Sequence, residues 1–308
     1  MTLYTQQSKN ISKTWLLMGV FLAFIVAIGY FASVYWGDPG ILYIAIILSI
    51  VMNISGYWFS DKVALAVSGA KPLAREDNRE LYRIVENLSI TAGIPMPRLY
   101  IINDSAPNAF ATGRDKKHAA IAVTTGLLSI MEKNELEGVL AHEMAHIGNR
   151  DILLQSVIVI LVGIVAMLSD ILVRSAMWGG GNRDREGGNP IIMIVGLLFI
   201  ILSPFIATVI QLAVSRRREF LADATGALIT RYPEGLASAL EKISDYHAPM
   251  RKASNATAHM FIATPFGGDQ DKDGIPDKKQ KRSWIVQMFS THPPVEDRIK
   301  ALLGKDKS

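Results

Sequence analysis

His142-Glu143-Met144-Ala145-His146 sets two imidazoles and a carboxylate at a spacing suited to metal-assisted hydrolysis. Residues four apart share one face of an α-helix, so both histidines can address one ion while Glu143 flanks the water that the ion activates. The competing reading of this stretch is a buried helix whose two histidines are satisfied by hydrogen bonds. A hydrolytic zinc site also needs a third protein ligand, with the fourth position left for water. Glu219 and Asp223, again four apart, supply the missing groups: Glu219 as ligand, Asp223 as acceptor for the non-ligating ring nitrogen of a zinc histidine. The alternative for this pair is an exposed acidic patch balancing Arg216, Arg217 and Arg218. With no cysteine in the chain, a thiol nucleophile, a thiolate-bound zinc and a disulfide framework are all excluded.

These groups must be held by folded elements. From Asn134 to about Gly148 the apolar residues Leu136, Val139, Leu140, Met144 and Ile147 recur with helical period, and Asn134 with Glu137 reads as a capping box. Further amphipathic helices are expected around Leu81–Leu88, after Pro233 and over Val295–Leu303. Arg98–Ile102, Ala109–Thr112 and Ala119–Val123 have strand character and are separated by turn-prone residues, which predicts a small antiparallel sheet ahead of the active helix. An edge strand there could pair with an extended substrate through backbone hydrogen bonds, or the strands could simply be a meander covering the core.

Half of the 308 residues are hydrophobic, and the apolar residues are concentrated. Trp15–Trp36, Ile41–Ser60, Ile152–Ser169 and Pro190–Ser215 carry no charge, and each is close to the roughly 20 residues needed to cross a bilayer. The expected fold is therefore a mainly α membrane protein: four transmembrane helices plus a helical α+β, zincin-like (gluzincin) catalytic domain. Its parts are two N-terminal spans in 1–60, the first half of the catalytic domain in 61–151, two more spans in 152–214 around an outside loop at 174–189, and the second half in 215–308. Trp15, Tyr35, Trp36, Tyr57 and Trp58 lie where interfacial aromatics belong. Only Lys9, Lys13, Arg174, Arg183 and Arg185 of the 32 basic residues fall outside 61–151 and 215–308. The positive-inside bias then puts both large polar segments and the termini in the cytoplasm. No recognition motif or aromatic-interleaved basic stripe suggests nucleic acid.

The His142–His146 motif, Glu219-Phe220-Leu221-Ala222-Asp223, Asn108-Ala109-Phe110-Ala111-Thr112-Gly113, and His292-Pro293-Pro294 with Arg298 occur in an order that resembles the HtpX-type membrane zinc metalloproteases, relatives of the type 1 CAAX prenyl proteases. The resemblance implies a zinc-dependent endopeptidase of the bacterial inner (cytoplasmic) membrane, needed under stress, that removes damaged or misfolded membrane proteins. One Zn2+ per chain would be held by His142, His146 and Glu219, with Glu143 as general base. The expected partners are the lipid bilayer and membrane-protein or unfolded polypeptide substrates. The runner-up is a non-catalytic membrane scaffold or chaperone-like pseudoprotease.

His292 is the candidate donor to a developing oxyanion, supported by Arg298, although a helix-entry role for His292 and an ion pair of Arg298 with Asp223 are the bland alternatives. Asn108 and Phe110 are expected at the substrate-binding sheet and its rim. Asp269-Gln270-Asp271-Lys272-Asp273-Gly274 begins like a calcium loop, but position twelve is Gln280 and Lys278–Arg282 bring opposing charge, which favours a solvated loop at 269–280.

Overall fold

The computed structural model describes residues 3–163, 216–254, 256–266 and 293–304. Its first two helices, α1 (Leu3–Trp36) and α2 (Gly40–Val67), are both long and apolar enough to cross a membrane. Leu16, Phe31, Tyr43, Ile44 and Ile47 are exposed on them, as side chains facing lipid would be. Trp15 of α1 stacks on Tyr57 of α2 with ring centroids 5.7 Å apart, while Tyr35 and Trp36 meet edge to face at the other end. From Trp15 to Trp36 an α-helix rises about 32 Å, which matches the hydrocarbon thickness. The chain is thus a membrane protein with two clear spans.

Beyond α2 the polar part begins with a two-residue strand β1 (Lys71–Pro72) and α3 (Arg79–Ala92). Asn78 caps α3 by accepting the Leu81 N–H at 2.9 Å, and Gly93 ends it in the left-handed conformation at φ 64°. Leu81, Ile84, Val85 and Leu88 all face the core. Then follow β2 (Arg98–Ile102), β3 (Ala109–Thr112), β4 (Ala120–Thr124), the short α4 (Thr125–Ile130) and α5 (Lys133–Gly148).

The sheet order is β1-β2-β4-β3, and it is mixed, not antiparallel as expected. β4 pairs antiparallel with β3 but parallel with β2. The reason is topological: the chain leaves β2, runs to the far edge as β3, then turns back into the gap, and two reversals restore the original direction.

After α5, α6 begins at Asp151 and is described to Gly163; α7 (Arg216–Thr230), α8 (Pro233–Ser244) and α9 (Val295–Leu303) complete the described helices. The described part of α6 corresponds to the start of the third expected span. Its Leu153, Leu154, Val157, Ile158, Leu161 and Val162 pack with Leu17, Met18, Phe21 and Ile25 of α1. The fourth expected span, the loop at 174–189, the calcium-like loop and His292 lie outside the described residues.

A second core joins the two separated polar stretches: α3, β3, β4 and α5 contribute Leu88, Ala111, Ile121, Leu140 and Met144, and α8 adds Leu236, Ala239, Leu240 and Ile243.

Candidate metal centre

The helix that carries both motif histidines starts earlier than the sequence suggests. Its N-cap is Glu132, and the Glu135 carboxylate accepts the Glu132 N–H at 2.8 Å. Asn134 and Glu137 are already inside the helix. Glu135 also takes hydrogen bonds from Ser238 at 2.6 Å and Lys242 at 2.7 Å, which tie α5 to α8. Two glycines allow close helix packing: a Cβ at Gly138 would lie 2.7 Å from the Leu236 nitrogen, and one at Gly226 of α7 would lie 3.0 Å from the His142 nitrogen. The second contact sets α7 against α5 at the height of the first histidine.

That packing brings three groups together. His142 Nε2 and His146 Nε2 are 3.1 Å apart, and the Glu219 carboxylate lies 3.9 Å from the first and 3.7 Å from the second. All three side chains are buried, and their ligating atoms lie within 4.8 Å of one another.

The opposite ring nitrogens are held by acids. Asp223 Oδ1 sits 2.9 Å from His142 Nδ1, and Asp151 Oδ2 sits 3.0 Å from His146 Nδ1. With each acid accepting the N–H at Nδ1, the neutral form of each ring would turn its Nε2 lone pair toward the same point. Two nitrogens bound to one tetrahedral zinc would be about 3.3 Å apart, close to the observed separation. The donor set of two imidazoles and a carboxylate therefore fits a divalent metal of this kind, with Glu219 needing to close by about half an ångström.

Charge points the same way. Burial opposes protonation of His146, yet the Asp151 hydrogen bond and the carboxylates of Glu219, Asp151 and Glu143 hold its pKa up to about 9. A cation between the imidazoles would answer that excess of negative charge. Burial pushes the Glu143 carboxyl up to about 7, Glu219 adds to the rise, and His146 and the Ala111 N–H oppose it. Among the described residues, Glu143 Oε2 is buried without a hydrogen-bond partner, as an oxygen awaiting water would be.

Arg298 of α9 is 1% exposed and grips Asp223 with two hydrogen bonds of 2.9 and 2.7 Å, with its Nη1 3.9 Å from Glu219. The structure thus places Arg298 behind the ligand set, on Asp223. Asn108 and Phe110 do not face an open surface. The Asn108 amide donates to Ala263 O at 3.0 Å and accepts from the Ala263 N–H at 3.3 Å, while Phe110 packs edge to face on Phe261 at 5.0 Å. All of β3 is buried, and Ala109 O already accepts the Ile262 N–H. These two residues brace the strand that reaches Glu143.

Asp151 was not singled out by sequence reasoning. It owes its place to a break between α5 and α6, whose axes differ by 84°, with Arg150 left-handed at φ 58°. The His142–His146 helix therefore does not run unbroken into α6. α1 reinforces the bend: Asn10 donates to Asp151 Oδ1 at 2.6 Å and to Asn149 O at 3.1 Å, and Gln7 donates to Gly148 O at 2.8 Å.

Residues 75–306 match peptidase family M48. The chain is 47% identical to a protease HtpX homolog of Caldanaerobacter subterraneus subsp. tengcongensis, over 98% of this chain and 97% of that relative. It is 48% identical to a protease HtpX homolog of Thermoanaerobacter pseudethanolicus over the same shares. A crystal structure of S. mikatae Ste24p aligns with 97% of this chain and 66% of its own at 18% identity and a TM-score of 0.49.

Proposed function

The chain belongs to peptidase family M48, a membrane metalloprotease, and from that premise we propose that it is a zinc-dependent endopeptidase using His142, His146 and Glu219 to hold the ion. The observation that carries this reading is the pair of Nε2 atoms 3.1 Å apart beside the Glu219 carboxylate, each imidazole backed by its own aspartate. When bound, zinc supplies Lewis acidity toward a water and a scissile carbonyl. Glu143 takes a proton from the attacking water at Oε2 and delivers it to the leaving amine. Asp223 and Asp151 keep both rings in the ligating tautomer, and Arg298 holds Asp223 in place. His292 remains the proposed oxyanion donor.

The substrates we propose are membrane-embedded or unfolded polypeptides, cleaved as quality control under stress at the bacterial cytoplasmic membrane. In this reading four spans anchor the chain and the catalytic part faces the cytoplasm. The position of the cluster supports it, since Asp151 both touches His146 and opens α6. The test is Glu143→Gln: casein cleavage falls by roughly 10²–10⁴-fold with about one zinc per chain retained. A variant as active as the parent, or a parent without stoichiometric zinc, refutes the reading and leaves the non-catalytic scaffold. Equal turnover of membrane-bound and soluble polypeptides in proteoliposomes would remove the membrane-substrate part alone.

A further inference from the structure

Away from the metal centre, a cleft of about 790 Å³ opens where α2 meets the sheet. Its apolar wall is Ile54, Trp58 and Phe59 of α2, all about half exposed. Its polar wall is cationic and comes from three separate segments: Lys62 of α2, Arg98 at the start of β2, and Arg114 and Lys117 between β3 and β4. The boundary between the walls falls at Asp61, the first charged residue of α2, one turn beyond the Trp15–Tyr57 stack. The cleft therefore straddles the level at which hydrocarbon gives way to headgroups.

The cations are arranged rather than scattered. Arg114 lies over the Trp58 ring at 4.5 Å, and Lys62 lies over Phe59 at 5.2 Å. Arg98 pairs with Asp61 at 2.6 Å, and Asp115 sits behind the wall, 3.6 Å from Arg114 and 2.7 Å from His118. Among the described residues, four cations against two carboxylates leave a surplus of two positive charges, from residues up to 55 positions apart in sequence (Lys62 to Lys117). Guanidinium and ammonium groups converging at the membrane interface suit a phosphate, and the aromatic wall beneath suits acyl chains.

We propose that this cleft is a binding site for the headgroup of an anionic phospholipid, with its phosphate among Lys62, Arg98, Arg114 and Lys117 and its chains along Ile54 and Trp58. Occupancy clamps the β3–β4 connection to α2. β3 carries the Ala111 N–H that reaches Glu143, so the lipid steadies the strand behind the proposed base. The site is independent of the metal assignment.

The experiment is lipid retention by the full-length protein in detergent, read by native mass spectrometry with phosphatidylglycerol, phosphatidylcholine or inorganic phosphate added. One phosphatidylglycerol per chain is expected to be retained, with no phosphatidylcholine. Each cation near the bilayer surface contributes about five-fold, so Lys62→Gln/Arg114→Gln/Lys117→Gln should weaken retention on the order of 100-fold. Arg79→Gln/Arg83→Gln/Arg231→Gln removes the same charge from exposed positions outside the cleft lining and should leave retention unchanged. Equal losses in the two triple variants, equal retention of both lipids, or displacement by millimolar phosphate would each overturn the proposal. If the first triple variant does not fold, Lys117→Gln alone, at an exposed position, should still cost about five-fold, and no change there refutes it.

Discussion

Asp151→Asn tests the least expected part of the metal centre. Three described groups close to the Asp151 carboxylate are donors: His146 Nδ1 at 3.0 Å, the Asn10 amide at 2.6 Å and Arg218 Nε at 3.6 Å. A carboxylate accepts on both oxygens, whereas an amide accepts on one side only. If the substituted amide turns its oxygen to His146, its own N–H groups meet those of Asn10; if it turns the other way, His146 loses its acceptor and its tautomer is no longer set. The first arrangement leaves a buried donor unmatched, costing about 1–3 kcal/mol of stability. The second weakens metal affinity by about 10–100-fold, or roughly 1.4–2.7 kcal/mol. The variant should therefore show one loss or the other, and the sum cannot vanish. Thermal unfolding of the metal-free protein measures the loss of stability, and competition for zinc against a chromophoric chelator measures the loss of affinity. Affinity within about two-fold of the parent, together with an unchanged Tm, would refute the argument.

Three further predictions rest on other contacts. Gly226→Ala places a methyl 3.0 Å from the His142 nitrogen and 3.2 Å from its Cα, so α7 must retreat and take Glu219 with it; a loss of about 1–3 kcal/mol by thermal unfolding, with weaker zinc retention, is expected. Arg150→Gly removes the left-handed strain at φ 58° and should raise stability by about 1 kcal/mol, whereas Arg150→Val should lower Tm. Burial opposes ionisation of Glu135, but hydrogen bonds from Lys242, Ser238 and the Glu132 N–H hold its pKa below the usual carboxylate value. Its contribution is then fully present above the unfolded-state pKa and lost as pH falls through the depressed folded value. The Tm gap between the parent and Glu135→Gln should be open at neutral pH and close toward acid; a gap that widens on acidification would contradict the assignment.

What could be read from the chain, and what could not, follows from the distance over which each feature is determined. The i, i+4 relation places His142 with His146 and Glu219 with Asp223 on single helix faces before any tertiary contact is known, and strand character marks β2, β3 and β4 nearly residue by residue. Parallel pairing of β2 with β4 depends on which strand enters the gap, and no local pattern encodes that. The N-cap moved to Glu132 because Glu135 is drawn down by Ser238 and Lys242, more than a hundred residues away. Asp151 is the sharpest case. On a continuous helix a residue five positions after His146 points about 140° away from it, which rules out the contact on any periodicity argument. The 84° break at Arg150 folds Asp151 back onto the ring, and Asn10, on a different membrane helix, holds it there. The acid beside the second histidine is thus a product of the bend between α5 and α6. Any change that straightens that bend should be felt at the metal first, and the Arg150 and Asp151 variants probe it from its two sides.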